Sequence, residues 1–312
     1  MLRRITNDVN KYIAISVAVD SDTLVTTQIT DFVELWIAPN ANANRAKRIM
    51  PGRHDGFYGF DWTPDGSIVF TRETNGSSDI WIANADGTNQ KQLTTDAHDV
   101  WPVVTSDGRY IVFQSNRAGS DHVWRMDIDG SNQRPLTLGA AERDPDCSPD
   151  SKWVVFTSWK TGKPTPWKVS VGGGTPDQIT DVECSYPRVS HNGKLIACAS
   201  GSRVLIFSFD SGQPIATVEL PEGAAWDGSW TPDDRALRYA ISNRRQNYQF
   251  QGIANWWIQP IDGGAPKQLT FFKPDQLGAT SWMRAAWSPD GKDLVYVRYE
   301  MKSDLVMMKG FK

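Results

Sequence analysis

A short turn recurs seven times along this chain after a run of apolar residues, at nearly constant spacing. It stands as Trp62-Thr63-Pro64-Asp65-Gly66, Val104-Thr105-Ser106-Asp107-Gly108 and Cys147-Ser148-Pro149-Asp150-Ser151. It continues as Val189-Ser190-His191-Asn192-Gly193, Trp230-Thr231-Pro232-Asp233-Asp234 and Trp287-Ser288-Pro289-Asp290-Gly291, and a degraded first copy is Val17-Ala18-Val19-Asp20-Ser21. With the Asp (or Asn192) as anchor, the steps are 45, 42, 43, 42, 41 and 57 residues. A fixed period of this size filled with short strands predicts one propeller blade per repeat. The expectation is an all-β, seven-bladed β-propeller of four-stranded antiparallel blades, with residues 1–312 as a single domain.

The second repeat shows the unit. Gly59–Trp62 reads as an innermost strand, followed by a turn whose Pro64 presets φ and whose Gly66 takes a positive φ. Ser67–Thr71 and Asp79–Ala83 read as second and third strands, Asp86-Gly87 as a hairpin and Lys91–Thr94 as the outer strand. Asp129-Gly130, Gly173-Gly174 and Gly263-Gly264 fall at matching offsets. Trp36, Trp81, Trp124, Trp167 and Trp257 all occupy the third strand. Of the 14 Trp in the chain, these are expected to fill the wedges between twisted sheets, where a wide ring buries much apolar area for little rotamer freedom. The last repeat reads as first, second and third strands (Ala285–Trp287, Leu294–Val297, Leu305–Met308) without an outer one. Arg3–Thr6 matches that missing outer strand, so an N-terminal strand is expected to close the ring and remove its open edges.

The net charge of −3 and the absence of a basic run argue against a nucleic-acid footprint. No stretch is long enough to span a bilayer. Leu2-Arg3-Arg4 and the apolar Ile13–Val19 mimic a short signal peptide, but Asn7, Asp8 and Asn10 separate them and the apolar run aligns with first strands elsewhere. Any export signal is therefore expected outside this chain. The odd count of three cysteines argues against a disulfide framework, and Cys147, at the place held by Trp62 and Trp230, reads as a buried thiol. The four histidines are scattered, so no zinc site is expected. Asp127–Asn132 lacks the distal Glu of a calcium loop and falls on a hairpin. There is no G-x-S-x-G, no H-E-x-x-H and no phosphate loop. No catalytic residue, metal or cofactor is assigned.

What remains is the mouth of the channel. Six residues before each anchor stand Ala14, Gly59, Trp101, Asp144, Tyr186, Asp227 and Arg284, and eight before stand Tyr12, Phe57, Asp99, Glu142, Cys184, Ala225 and Trp282. Aromatics mixed with opposite charges at a channel mouth fit a recognition surface. They equally fit a plug in which these groups bind one another and trapped water. The sixth repeat adds roughly 15 residues, Ile241 through Ala254, between strands two and three, a long loop of the kind that often carries function. The candidate ligand-binding residues are Trp101, Asp144, Tyr186, Asp227, Trp282, Arg284, Tyr248 and Phe250.

The Thr/Ser-Pro-Asp-Gly turn, the Asp79-Ile80-Trp81 third strand and the Ala85–Thr94 ending together resemble the TolB-type propeller repeat. The tail is similar to the C-terminal propeller of membrane-anchored bacterial serine/threonine kinases of the acidobacterial type. Its ordered series is Trp257–Gly264, Gln268–Thr270, Ala286–Gly291 and Ser303–Val306. The resemblance implies a non-catalytic sensor or interaction module, monomeric and extracytoplasmic, in a membrane-anchored parent. A protein or peptide partner is expected on its top face, and a small-molecule ligand is compatible with the same geometry. The alternatives are the substrate-gating propeller of a prolyl-oligopeptidase-type serine peptidase, or a propeller lyase or glycan hydrolase. The last would need more His, Arg or Tyr in the channel than Arg188, Arg284 and Tyr186 supply.

Overall fold

The repeated turn is built the same way at six positions of the computed structural model, which describes residues 11–17, 23–242 (apart from 51, 53, 75 and 96), 254–271 and 280–309. The hydroxyls of Thr63, Thr105, Ser148, Thr231 and Ser288 donate to the Asp two residues on, and Ser190 donates to Asn192. The same acceptor oxygen takes a backbone N–H two residues further, at Ser67, Arg109, Lys152, Lys194, Arg235 and Lys292. These local bonds hold the reversal so firmly that Ser151 and Asp234 adopt the positive φ that Gly66 adopts in its own turn.

Five of these turns each open a four-stranded antiparallel sheet of their own. We number them blades I to V by their innermost strands, Asp55–Trp62, Asp99–Val104, Glu142–Cys147, Ser185–Val189 and Ala224–Trp230. The sixth turn belongs to blade VI, which is assembled from both ends of the sequence. Its first strand is Thr280–Trp287 and its second the start of Leu294–Lys309. Its third is the end of Thr23–Ala38, and its fourth is Lys47–Arg48. Trp36 pairs with Tyr296 on one side and Arg48 on the other, as Trp81 in blade I pairs with Phe70 and Gln92. The ring is thus a propeller closed from the N-terminal region, but by Thr23–Ala38 and Lys47–Arg48 and not by the expected Arg3–Thr6; Met307, the expected neighbour of that strand, pairs with Val25.

The repeats are shared out differently from the expected seven blades: among the described residues they form six sheets, with the first and last repeats joined in one. Leu305–Met308 is not a separate third strand but the continuation of the second, and Thr23–Ala38 likewise runs unbroken for 16 residues. The physical reason is local. Every other connection between second and third strands carries Gly or Asn, whereas neither Thr23–Ala38 nor Leu294–Lys309 contains a Gly, Pro or Asn to reverse the chain. The two long strands therefore pair along their whole length, and Lys11–Val17 adds to the far half of Thr23–Ala38. The outer strand expected at Arg3–Thr6 and the first turn at Asp20-Ser21 lie outside the described residues.

Apolar clusters fill the seams between blades. Trp81 packs where blade VI meets blade I, Trp124 between I and II, Trp167 between II and III, and Trp36 between V and VI. Polar latches run beside them. The carboxylate of Asp61 accepts the backbone N–H of Val104 in the next blade at 2.8 Å, and Asp146 accepts that of Val189 at 2.9 Å. The indoles of Trp62 and Trp230 donate to the carbonyls of Ala286 and Arg188 in the preceding blades. Cys184, one residue before the first strand of blade IV, forms a disulfide with Cys198 in the second. The odd cysteine count argues against a disulfide framework, and one bridge forms nonetheless; Cys147 is the one left over, its thiol pushed up by burial. Among the described residues no helix is long and apolar enough to cross a membrane.

Candidate binding surface at the channel mouth

Chain direction sets two faces. The first-to-second and third-to-fourth reversals lie on one, the turn face; the second-to-third loops and the blade-to-blade connections lie on the other, the mouth. Each innermost strand breaks register just before it enters the channel. In blades II, III and IV the break falls on Trp101, Asp144 and Tyr186, which hold φ values of 55°, 58° and 58°. Blade I places Gly59 there, at 111°.

A left-handed backbone is an ordinary state for glycine and a strained one for other residues, at about 1–3 kcal/mol each. A bulge of this kind re-aims a side chain. All three strained residues precede a proline, Pro102, Pro145 or Pro187, which further narrows the backbone's choices. Glycine would relieve the strain at no steric penalty, yet three neighbouring blades carry Trp, Asp and Tyr.

The surroundings hold these side chains in place. The Trp101 ring lies over Gly59, where an added Cβ would come within 3.2 Å of it. The Tyr186 backbone N–H donates to Thr157 Oγ1 of blade III at 3.1 Å. Tyr186 is half exposed, and burial followed by the nearby Asp144 charge pushes its phenol up, while Arg188 and Arg143 pull the other way. Tyr58 is pushed up as well, by burial and then by Glu73. Both phenols are therefore protonated donors at neutral pH. Phe57, Tyr58 and His98 form an edge-to-face run, with centroids 4.7 and 5.1 Å apart. Arg143 lies over Trp159 and pairs with Asp121.

Of the predicted site residues, Trp101, Asp144 and Tyr186 are thus brought to one mouth on adjacent blades. Asp227 lies in Ala224–Trp230 of blade V, and Trp282 and Arg284 lie in Thr280–Trp287 of blade VI. Tyr248 and Phe250 fall outside the described residues. Three of the positions eight before the anchor, in blades II, III and IV, are engaged internally instead. Buried Asp99 pairs with Arg117 and buried Glu142 with His122, and Cys184 is in the disulfide. Sequence reasoning passed over Tyr58, His98 and Trp159. The recurring X-Pro at one offset in three consecutive repeats was the available signal for the strained bulges.

The TolB-like ending of the repeat also acquires a physical role. In blade I, Arg72 grips the buried Asp55 with two bonds and takes Gln90 Oε1 at 3.0 Å, while Gln90 Nε2 holds the hairpin carbonyl of Gly87. Arg117, Asp99, Gln133 and Gly130 repeat the arrangement in blade II. Gln90 and Gln133 thus tie the outer hairpin to a buried ion pair in each blade.

Residues 46–143 match the TolB beta propeller domain. Over 81 residues the chain is 40% identical to the Tol-Pal system protein TolB of Anaeromyxobacter sp. (strain K), covering 25% of this chain and 18% of that protein. The chain therefore spans under a fifth of the length of the curated TolB relatives it matches. A putative TolB from Agrobacterium tumefaciens superposes with a TM-score of 0.50 at 19% identity, over 95% of this chain and 93% of that one. Oligogalacturonate lyase in complex with manganese does so at 0.53 and 12%, over 93% and 96%. At such identities the two structures speak for the TolB-type propeller fold alone.

Proposed function

We propose that this propeller is a non-catalytic binding module that docks an extended protein or peptide segment across the mouth of blades I to IV. The observation that carries the reading is the strained trio of Trp101, Asp144 and Tyr186. Strain kept at three adjacent blades, where glycine would remove it, is best accounted for by what the side chains contact. Aromatic side chains and arginines dominate recognition energy once desolvated, and the mouth offers Phe57, Tyr58, Trp101, Trp159, Tyr186 and Arg143. The module works outside the cytoplasm, within a larger membrane-anchored bacterial signalling protein of the kinase-linked kind. The disulfide, which persists in oxidising compartments, and the likeness to TolB support the location. The Trp257–Val306 series supports the kinase link.

A random-peptide phage library panned on the immobilised protein tests this. The enriched peptides would be titrated by fluorescence anisotropy against wild type, Trp101→Ala and Tyr186→Ala. Each substitution should weaken binding by roughly 1–3 kcal/mol, about 5- to 150-fold, while far-UV spectra stay unchanged. Peptides that bind both variants like wild type, or that crosslink to the turn face around Asp65 and Asp86, would overturn the reading.

A further inference from the structure

The channel widens toward the turn face into a cavity of about 560 Å³, at the opposite end from the mouth. Its wall includes the channel-facing residues Asp61, Val103, Asp146, Arg188, Ser229 and Ala286, one from each blade, and the turn residues Pro232 and Ser288–Gly291 form its rim. A volume of this size suits a small organic molecule.

Arg188 is the unusual member. It is more than nine-tenths buried, yet it forms no ion pair among the described residues. Its Nη1 donates to three backbone carbonyls, those of Asp144, Pro145 and Pro187. Its Nε and Nη2, the edge with which Arg72 grips Asp55, have no acceptor among the described residues. Gly228 makes room for the stem: a Cβ there would come within 2.7 Å of Arg188 Nε. The carboxylates in the same wall are already engaged. Asp61 accepts the N–H groups of Trp62 and Val104, and Asp146 accepts that of Val189. A buried guanidinium with a free fork and no counter-ion is expensive to maintain, and carboxylate or phosphate is the geometry that the fork matches.

Apolar wall completes the site. Phe60, Val103, Ala285, Ala286 and Trp287 face the cavity, and Trp287 and Ala285 also border a second space of about 100 Å³ between blades V and VI, with Trp256 and Leu294. We propose that the turn-face cavity binds a small organic anion, its carboxylate or phosphate on Arg188 and its apolar body against Trp287. The site opens on the face opposite the mouth, and Arg188, which bonds the Asp144 carbonyl, lies between the two.

Isothermal titration of the whole chain with benzoate, indole-3-acetate and phenyl phosphate, and with the neutral benzamide, tests the proposal. At least one anion should bind with a Kd below about 1 mM, and benzamide at least about tenfold more weakly. Arg188→Gln should abolish anion binding. Because that change also frees three carbonyls, Ala286→Phe, which adds a ring to the cavity wall from blade VI and removes none of those bonds, gives an independent loss. No heat from any of the three anions at about 10 mM, equal binding of benzamide, or full binding by the Ala286→Phe variant would overturn the proposal.

Discussion

Removing Arg72 should destabilise this propeller more than removing Arg72 and its partner together. Asp55 is fully buried, and its carboxylate holds Arg72 Nε at 2.6 Å, Arg72 Nη2 at 3.1 Å and the Gly52 N–H at 2.8 Å. Arg72→Met keeps the length of the stem over Trp81 and Phe70 but strands a buried charge with one donor. That loss is about 3–5 kcal/mol. In the double variant Asp55→Leu/Arg72→Met no charge is left behind, and the principal debt is the unsatisfied Gly52 N–H, about 1–3 kcal/mol. The expected order in urea unfolding is wild type, then the double variant, then Arg72→Met, with slopes unchanged. The exposed Arg143–Asp121 pair is the control: Arg143→Ala should change stability by no more than about 1 kcal/mol. If the double variant is no more stable than Arg72→Met, the pair is not the buried, mutually dependent unit described above.

Acid unfolding offers another test. Hydroxyl and backbone donors hold the turn carboxylates of Asp65, Asp233 and Asp290 below the ordinary range, and at Asp290 the Ser288 hydroxyl together with the Lys292 ammonium brings it to about 2. Folded values below the unfolded value of about 4 mean stabilisation that is complete above it and lost as pH falls toward about 2. Asn192 already serves as the acceptor in blade IV, so the triple Asp→Asn variant at these positions should keep its fold. Its melting temperature should fall less than that of wild type between about pH 5 and pH 2, and an equal fall would refute the assignment. Tyr186→Gly should leave thermal stability unchanged or raise it by up to about 1 kcal/mol, because relieved strain offsets the loss of a half-exposed ring. A large destabilisation would show that the ring is structural. Cys184→Ala/Cys198→Ala, which opens a loop of 14 residues, should lower stability by about 2–4 kcal/mol in denaturant titration; no change would remove the bridge from the stability argument.

The period, the strand order within each blade and the third-strand tryptophans were legible because each depends on neighbours a few residues away. So was the location of Trp101, Asp144 and Tyr186, since a common offset in a repeat is a common place in space. The sharing of blade VI was not legible. It depends on turn residues that are missing between Val297 and Leu305, and a pattern search credits two half-blades as two repeats. The disulfide depends on the cross-strand register that sets Ser185 opposite Ala199, which cysteine counting does not contain. The cavity around Arg188 needs six strands converging on one axis, so Arg188 read from the sequence was only an isolated cation.

Blade VI has a consequence for biosynthesis. The Asn40 N–H donates to Asp293 Oδ1 across 253 residues, and Val33, Leu35 and Ile37 are buried against Val295 and Val297. While the ribosome makes everything between, the early strand waits with its apolar face and backbone edge exposed. Such an edge is open to mispairing with other nascent chains. Blades I to V can stack progressively as they emerge, but the final joint forms only after residue 297 has been made, and long-range pairing of this kind is slow. Holdase chaperones that shield Thr23–Ala38 should therefore raise the folded yield, whereas accelerating the folding of the middle blades should not.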